Sequence, residues 1–137
     1  MKWVKVHDRV LRDLQSDSLA STPTQMKIDV LIPALNEETN IGHVLEGLKP
    51  HGIRRVVVCD NGSTDATAQV ALKHGAAVVT ETKRGYGAAC LAGLEYLSED
   101  APDIVVFLDG DGADDPDDYG SIVEPIVHGR ADFVVGS

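Results

Sequence analysis

The segment that most clearly reveals the architecture of this chain reads Ile104-Val105-Val106-Phe107-Leu108-Asp109-Gly110-Asp111. Five apolar residues in a row predict a strand that is buried on both faces, as in a parallel sheet covered by helices. This run gives way directly to carboxylates and glycines. In open α/β sheets ligands bind beyond the carboxyl ends of the strands, so Asp109 and Asp111 lie where a functional site is expected.

Four more apolar runs predict strands, and segments of helical periodicity separate them. The strands are expected at 28–32, 55–59, 76–80 and 133–135, and the helices at 37–48, 65–74, 87–97 and 117–128. Strands that alternate with helices indicate an α/β domain with a mostly parallel sheet flanked by helices. Gly75 predicts the end of the second helix, and Pro125 is expected to kink or shorten the fourth.

The first 26 residues differ from the rest and predict an N-terminal extension with a linker, followed by one domain at 27–137. Within 1–15, apolar residues recur at roughly helical spacing between basic side chains, which predicts a surface helix or a frayed end. An alternative is a helix that docks on a partner or on an anionic membrane surface. Residues 16–25 are small and polar, which is typical of a linker.

The composition is that of an ordinary globular domain. The chain has 137 residues, 43% of them hydrophobic and 25% charged, which is enough for a core without disulfides or metals. The net charge of −10 argues against nucleic acid as a partner. No apolar run reaches the ~20 residues of a membrane span. We therefore expect a cytoplasmic chain, with peripheral membrane attachment as an alternative. Cys59 and Cys90 are expected to be reduced and buried.

The acidic excess is concentrated, because nine of the 22 acidic residues fall within 99–118, where there is no Lys or Arg. Asp109 and Asp111 are two residues apart in an extended segment, so their carboxylates point to the same side. A divalent cation would offset their repulsion, and Mg²⁺ commonly uses one or two carboxylates together with substrate phosphates. Asp114 and Asp115 are expected to begin the next helix, with a metal contact as the alternative.

Polar residues also follow the first two predicted strands of the domain. Asn36 and Glu37 come after the first strand and either begin a helix or belong to a loop that grips a base or ribose. Asp60 ends the second strand, where its carboxylate can accept hydrogen bonds from a nucleoside. Asp65, or Thr64 before it, is expected to cap the helix that follows.

A basic, glycine-containing stretch precedes the third helix and reads Lys83-Arg84-Gly85-Tyr86-Gly87. It is either a turn or a contact to phosphate oxygens at a helix start. No Gly-Lys-Ser/Thr follows it, which excludes a Walker loop, and Cys90 breaks the dinucleotide-binding fingerprint.

Together these loops resemble the inverting family-2 glycosyltransferases of GT-A fold. The resemblance runs from about residue 27 to the end of the chain, and the order and spacing of its motifs make the combination specific. The matching segments are Ile32-Pro33-Ala34-Leu35-Asn36-Glu37-Glu38, Asp60-Asn61-Gly62-Ser63-Thr64-Asp65, Lys83-Arg84-Gly85-Tyr86-Gly87, Leu108-Asp109-Gly110-Asp111 and Asp132-Phe133-Val134-Val135-Gly136-Ser137. Residues 109–116 look most like the dolichyl-phosphate mannose and glucose synthase branch.

The resemblance implies a Rossmann-like sheet that forms the N-terminal donor-binding part of a metal-dependent, inverting transferase. Such an enzyme moves a sugar from a UDP- or GDP-sugar to an acceptor, here a polyprenyl phosphate by likeness to that branch. Asp111 would coordinate Mg²⁺ or Mn²⁺, and Asp109 would face the ribose or the metal. The residues implied in donor nucleotide binding are Pro33, Leu35, Glu37, Asp60, Lys83, Gly85 and Asp109.

In the family, the catalytic Asp or Glu and the acceptor segment lie beyond the strand that ends at Ser137. We therefore expect residues 1–137 to bind nucleotide and metal but to transfer sugar poorly alone, and we expect cut sheet edges to favour homo-oligomers. Two alternatives stay open. One is a nucleotidyltransferase, although the loop after the first strand is acidic rather than glycine-rich and basic. The other is a non-catalytic nucleotide-binding or regulatory module.

Overall fold

The computed structural model of the chain describes residues 2–6, 26–113, 115, 118–129 and 133–136. The strands are β1 (Lys2–Val6), β2 (Ile28–Ala34), β3 (Arg55–Asp60), β4 (Ala77–Thr80), β5 (Ile104–Phe107) and β6 (Phe133–Gly136). The α-helices are α1 (Ile41–Leu48), α2 (Thr67–Lys73), α3 (Tyr86–Ser98) and α4 (Tyr119–Val127), and a 3₁₀ turn at Lys49–His51 follows α1. Among the described residues, no helix has both the length and the apolar character needed to cross a membrane.

All six strands form one sheet in the order β4-β3-β2-β5-β1-β6. The pairs β4–β3, β3–β2 and β2–β5 are parallel, whereas β1 runs antiparallel to both β5 and β6. Leu31 of β2 lies between Val57 of β3 and Phe107 of β5 in this register. The predicted mostly parallel sheet with helical crossovers is therefore confirmed.

The helix predicted within residues 1–15 is wrong for Lys2–Val6, which is strand β1. Backbone pairing places Trp3 opposite Phe107 of β5 and opposite Val135 of β6. Five residues are too few to separate helical from strand periodicity, and hydrogen bonding to strands on both sides decides the outcome. The rest of that segment and the linker predicted at 16–25 lie outside the described residues. The domain division at residue 26 stays a prediction.

The core has two layers, one on each face of the sheet. Alternate residues of β2 point to opposite faces, so Val30 and Ile32 pack towards α1, α2 and α4, while Leu31 packs towards α3. The apolar face of α1 is buried as its spacing predicts, through Ile41, Val44, Leu45 and Leu48. Helices on both faces explain why the strands are continuous apolar runs.

Helix α3 lies very close to the sheet at Gly93. A Cβ atom added there would stand 2.6 Å from Leu31 Cδ1 and would overlap Cys59 Sγ. Cys59 and Cys90 are both free and buried in this layer, as predicted for small core residues. Burial raises the pKa of the Cys59 thiol to about 12 and also raises the pKa of Cys90.

Element boundaries differ slightly from the sequence prediction. Helix α1 begins at Ile41 rather than 37, because the N–H groups of Asn40 and Ile41 both donate to the Glu37 carbonyl in a preceding turn. Gly75 follows α2 with φ +88°, as predicted for a glycine that ends a helix. Pro125 lies inside α4, which ends two residues later at Val127.

A buried carboxylate ties the amino-terminal ends of the strands together. Asp29 of β2 has no exposed surface, and its Oδ2 accepts hydrogen bonds from Arg54 Nη2 at 2.6 Å and Arg55 Nη2 at 2.7 Å. Arg54 also donates to Asp100 Oδ2 at 2.8 Å, beyond the end of α3. This ion-pair cluster lies at the opposite end of the strands from the loops that carry the predicted site residues.

Candidate functional site

The carboxyl ends of β3, β2 and β5 lie side by side, because β2 is the central strand of the three. We call this end of the sheet the carboxyl edge. Ala34 at the end of β2 pairs with Asp60, and Asp60 in turn pairs with Thr80 of β4. The predicted site residues after these strands therefore share one edge.

The loop after β5 lies against the end of β2. The Leu108 N–H donates to the Leu31 carbonyl at 3.1 Å. A Cβ atom at Gly110 would stand 3.4 Å from Ile32 Cγ2 and 3.6 Å from Ala34 Cβ. Through these contacts the 109–111 segment packs against the end of β2, the strand that leads to Leu35 and Glu37.

The loops after β2 and β3 are bound to each other by side chain–backbone hydrogen bonds. The Asn36 N–H donates to Ser63 Oγ, and the Thr64 N–H donates to Asn36 Oδ1, both at 2.9 Å. Asn36 adopts φ +54°, a left-handed conformation that asparagine tolerates better than most residues. The alternative in which Asn36 begins the next helix is wrong, because the N-cap position of α1 is Asn40, and Asn36 binds the neighbouring loop.

The same two loops are joined again one turn further on. The Glu37 N–H donates to Thr67 Oγ1 at 2.9 Å, and the Ala66 N–H donates to Glu38 Oε2 at 3.0 Å. The residue at the N-cap position of α2 is Ala66, without a side-chain cap, so the predicted cap by Asp65 or Thr64 is wrong. Asp65 Oδ1 instead accepts the N–H of Thr67, the first residue of the helix, at 2.9 Å. The hydroxyl of Thr67 also donates to this carboxylate, which lowers the pKa of Asp65.

Three of the predicted donor-binding residues lie on the β2 side of the edge. Pro33 is half-buried near the end of the strand, and Leu35 directly beyond it has 39% of its surface exposed. Glu37 is half-buried, and its Oε2 accepts a hydrogen bond from Asn40 Nδ2 at 3.2 Å. An exposed leucine next to a carboxylate offers both an apolar surface and a hydrogen-bond acceptor.

Asp60 and Asn61 form the buried part of the edge, each only 7% exposed. Asp60 Oδ1 accepts the Ser63 N–H at 3.3 Å. Asn61 Nδ2 donates to the carbonyls of Glu81 and Lys83 at 2.9 and 2.8 Å, and its Oδ1 accepts the Gly85 N–H at 3.0 Å. This role of Asn61 was not predicted from the sequence, because its partners lie 20 to 24 residues away.

The segment that Asn61 holds carries the predicted basic residue of the site. Lys83 and Gly85 are both exposed, and the Lys83 N–H donates to Glu81 Oε1 at 2.7 Å. Gly85 has φ +126° and ψ 146°, a conformation that is essentially restricted to glycine. Its carbonyl accepts the Ala89 N–H at 3.1 Å, so α3 starts directly from this glycine.

The two predicted metal ligands follow β5. Asp109 is half-buried, whereas Asp111 is exposed and accepts the Ala113 N–H at 2.9 Å through Oδ1. Within the part of the chain that the structure describes, no group of three or more His, Cys, Asp or Glu side chains could hold a cation. A pair of aspartates fits a Mg²⁺ or Mn²⁺ ion whose remaining ligands are phosphate and water oxygens. Of the two alternative metal contacts, Asp114 lies outside the described residues, and Asp115 is exposed. The Asp115 carbonyl accepts the Asp118 N–H at 3.0 Å, and α4 begins only at Tyr119, so the prediction that Asp115 begins this helix is wrong.

The sequence profile of Glycosyl transferase family 2 matches residues 29–137, which contain every loop of the carboxyl edge. The chain belongs to this family. An uncharacterized glycosyltransferase of Mycobacterium bovis is 45% identical over 80% of the chain and 47% of its own length. The UDP-N-acetylglucosamine–dolichyl-phosphate N-acetylglucosaminyltransferase of Methanococcus voltae is 31% identical over 80% of the chain and 51% of its own length. The second relative supports the resemblance to the dolichyl-phosphate branch.

Solved structures of glucosyl-3-phosphoglycerate synthase from Mycobacterium tuberculosis share the fold. A complex with Mn²⁺, UDP and glucosyl-3-phosphoglycerate superposes with a TM-score of 0.64 at 28% identity, over 80% of this chain and 45% of that one. A complex with Mn²⁺, UDP-glucose and phosphoglyceric acid gives 0.64 at 31% identity, over 75% and 40%. The predicted GT-A fold is thus confirmed. The chain spans about half the length of the curated relatives it matches.

Proposed function

We propose that this chain forms the nucleotide-sugar site of a metal-dependent, inverting glycosyltransferase. The observation that carries the proposal is the placement of Asp60 and the 109–111 segment on either side of the loop after β2. Ligands of open α/β sheets bind at this edge. Family membership supports the reaction class, and the solved relatives supply UDP and Mn²⁺ as the ligands to test.

The nucleoside would lie between the ends of β2 and β3. Leu35 presents its exposed apolar surface to the base, next to Pro33, and Glu37 accepts hydrogen bonds from the ribose. Asp60 is buried at the strand tip, where its carboxylate accepts an N–H of the base. Both named relatives that specify a donor use a UDP-sugar or bind UDP, so we propose UDP rather than GDP.

The diphosphate would lie towards β5 and the start of α3. Lys83 contributes positive charge, and the backbone at Gly85 lets phosphate oxygens approach without a side chain. Asp109 and Asp111 would hold Mn²⁺ or Mg²⁺. When bound, the ion neutralises the negative charge that grows on the departing nucleoside diphosphate.

The acceptor is proposed to be a polyprenyl phosphate. Support comes from the name of the Methanococcus voltae relative, whose acceptor is dolichyl phosphate. The second named enzyme is solved in complex with phosphoglyceric acid, which also carries a phosphate. A phosphate oxygen of the acceptor, already anionic at neutral pH, would attack the anomeric carbon from the face opposite the leaving nucleoside diphosphate.

Calorimetric titration with UDP and with GDP, each with and without Mn²⁺, tests the proposal. We expect UDP to bind only weakly without Mn²⁺. Asp111→Asn keeps an acceptor for the Ala113 N–H but removes the charge, so it should weaken Mn²⁺-dependent UDP binding by at least about tenfold. Glu99→Gln, an exposed charge change at the far end of α3, is the matched control and should bind like the wild type.

Two results would contradict the proposal. One is wild-type protein that binds neither nucleotide at millimolar concentration with Mn²⁺ present. The other is nucleotide binding that responds to Mn²⁺ equally in the wild type and in Asp111→Asn.

A further inference from the structure

The side chain of Asn61 joins the tip of β3 to the segment between β4 and α3 by three hydrogen bonds. Its amide nitrogen donates to the Glu81 and Lys83 carbonyls, and its amide oxygen accepts the Gly85 N–H. We infer that Asn61 is a positioning residue for donor binding, which fixes the 81–85 segment, and with it Lys83, in place beside Asp60. This inference rests on the proposed function of the site.

The three bonds suit an amide and no other small side chain. An amide has two N–H donors and a carbonyl acceptor, and here both donors and the acceptor are used. A carboxylate of the same shape accepts only, so it would face two carbonyl oxygens without a proton to share. Because Asn61 is 7% exposed, water would replace the lost partners poorly.

The backbone of Asn61 is itself fixed in the sheet. Its N–H donates to the Ala34 carbonyl at 2.9 Å, which joins it to the end of β2. The Glu81 N–H donates to the Asp60 carbonyl, also at 2.9 Å. The side chain of Asn61 therefore anchors the 81–85 segment to the parallel sheet. Lys83 and Gly85 within that segment are exposed.

Gly85 is where this restraint matters most. Its φ of +126° lies in a region that essentially only glycine enters, and glycine loses more conformational freedom when it is fixed than any other residue. The Gly85 N–H is bonded to Asn61 Oδ1. Without that bond the segment can relax to other conformations. Lys83, two residues earlier, would then occupy many positions relative to Asp60, and donor binding would include the cost of ordering it.

The test replaces the amide by a carboxylate in Asn61→Asp and measures UDP affinity with Mn²⁺ by calorimetry. Gln69→Glu is the matched control, because it makes the same chemical change on the exposed surface of α2. We expect UDP binding to weaken by about tenfold or more in Asn61→Asp, as for the loss of two buried hydrogen bonds, and to be unchanged in Gln69→Glu. Asn61→Ser, which retains one donor, is a second variant. Its UDP affinity should lie between those of the wild type and Asn61→Asp, and it should still be weaker than the wild type if Asn61→Asp does not fold.

Two further measurements separate positioning from general damage. Hydrogen exchange of the free variant should quicken in 81–85 while the β2 and β3 amides stay protected. Lowering the pH from 8 to 5 should recover part of the affinity of Asn61→Asp relative to wild type, because a protonated carboxyl can again donate one hydrogen bond. A purely structural defect would show loss of protection throughout the sheet and no such recovery.

The outcomes are distinct. If the wild type binds UDP and Asn61→Asp binds it equally well, the inference is wrong and the proposed function stands. If Asn61→Asp binds weakly but exchange in 81–85 is unchanged, positioning is also wrong. If the wild type binds neither UDP nor GDP with Mn²⁺, the proposed function fails and the inference fails with it.

Discussion

The side-chain oxygen of Asn36 accepts the backbone N–H of Thr64 at 2.9 Å, although the two residues are 28 positions apart. The Asn36 N–H donates to Ser63 Oγ in return. This exchange joins the loop after β2 to the loop after β3, the two loops proposed to enclose the nucleoside. Hydrogen bonds between the two loops therefore add to those within each loop in preorganising the site.

We predict that Asn36→Ala destabilises the chain more than Asn36→Gly does. Alanine loses the bond to Thr64 and must also adopt φ +54°, whereas glycine loses only the bond. Urea unfolding should show losses of about 2 kcal/mol for alanine and about 1 kcal/mol for glycine. Equal losses in the two variants would mean that the left-handed conformation costs alanine no more than it costs glycine.

A second prediction concerns the buried carboxylate of Asp29 at the opposite end of the strands. Asp29→Asn leaves Arg54 and Arg55 without their shared anion, and we expect it to lower the free energy of unfolding by about 3 kcal/mol. Asp100→Asn is the control, because its side chain is 59% exposed and pairs with Arg54 in water. The loss in Asp100→Asn should be clearly smaller, because solvent-exposed ion pairs contribute little to stability. A similar loss in both variants would refute a special role for the buried carboxylate.

The sequence predicts the strands and helices of the domain well because their signals are local. Continuous apolar runs identify β2, β3 and β5, and the spacing of four apolar residues identifies the buried face of α1. Placement of the site at the carboxyl edge follows from parallel strands alone. The GT-A assignment depends in addition on the order of the motifs, which is visible only over the whole segment from about residue 27 onwards.

What the sequence does not reveal is which polar residues bind one another across loops. Asn36 and Asn61 both look like ordinary turn residues, and their partners lie 20 to 28 positions away. The helix prediction for Lys2–Val6 is wrong for a related reason, because the strands that flank this segment come about 100 or more residues later in the chain. Contacts of this kind depend on the assembled sheet.

A third prediction follows from the close approach of α3 to the sheet. Gly93→Ala would place a methyl group against Cys59 Sγ and Leu31, and we expect a loss of about 1–3 kcal/mol in the free energy of unfolding. Gly87→Ala is the matched control on the same helix, where a Cβ atom would meet no other heavy atom within 4 Å. It should stabilise by up to about 1 kcal/mol, since alanine favours a helix. Opposite signs in the two variants support close packing, whereas loss of stability in both would point to helix-wide effects.

The fourth prediction concerns the reactivity of the two thiols. The thiolate is the reactive form of cysteine, and burial raises the pKa of Cys59 to about 12, so very little thiolate exists at pH 8. Cys90 is also buried with a raised pKa. We expect neither thiol of the native chain to react appreciably with iodoacetamide at pH 8 within minutes, and both to react once 6 M guanidinium unfolds it. Mass spectrometry of tryptic peptides measures each site separately.

Because the added methyl group of Gly93→Ala would overlap Cys59 Sγ, this variant should loosen the packing between α3 and the sheet. Modification of Cys59 should then become faster by a larger factor than modification of Cys90. Rapid labelling of Cys59 in the native wild type would show that the packing between α3 and β3 is open to solvent.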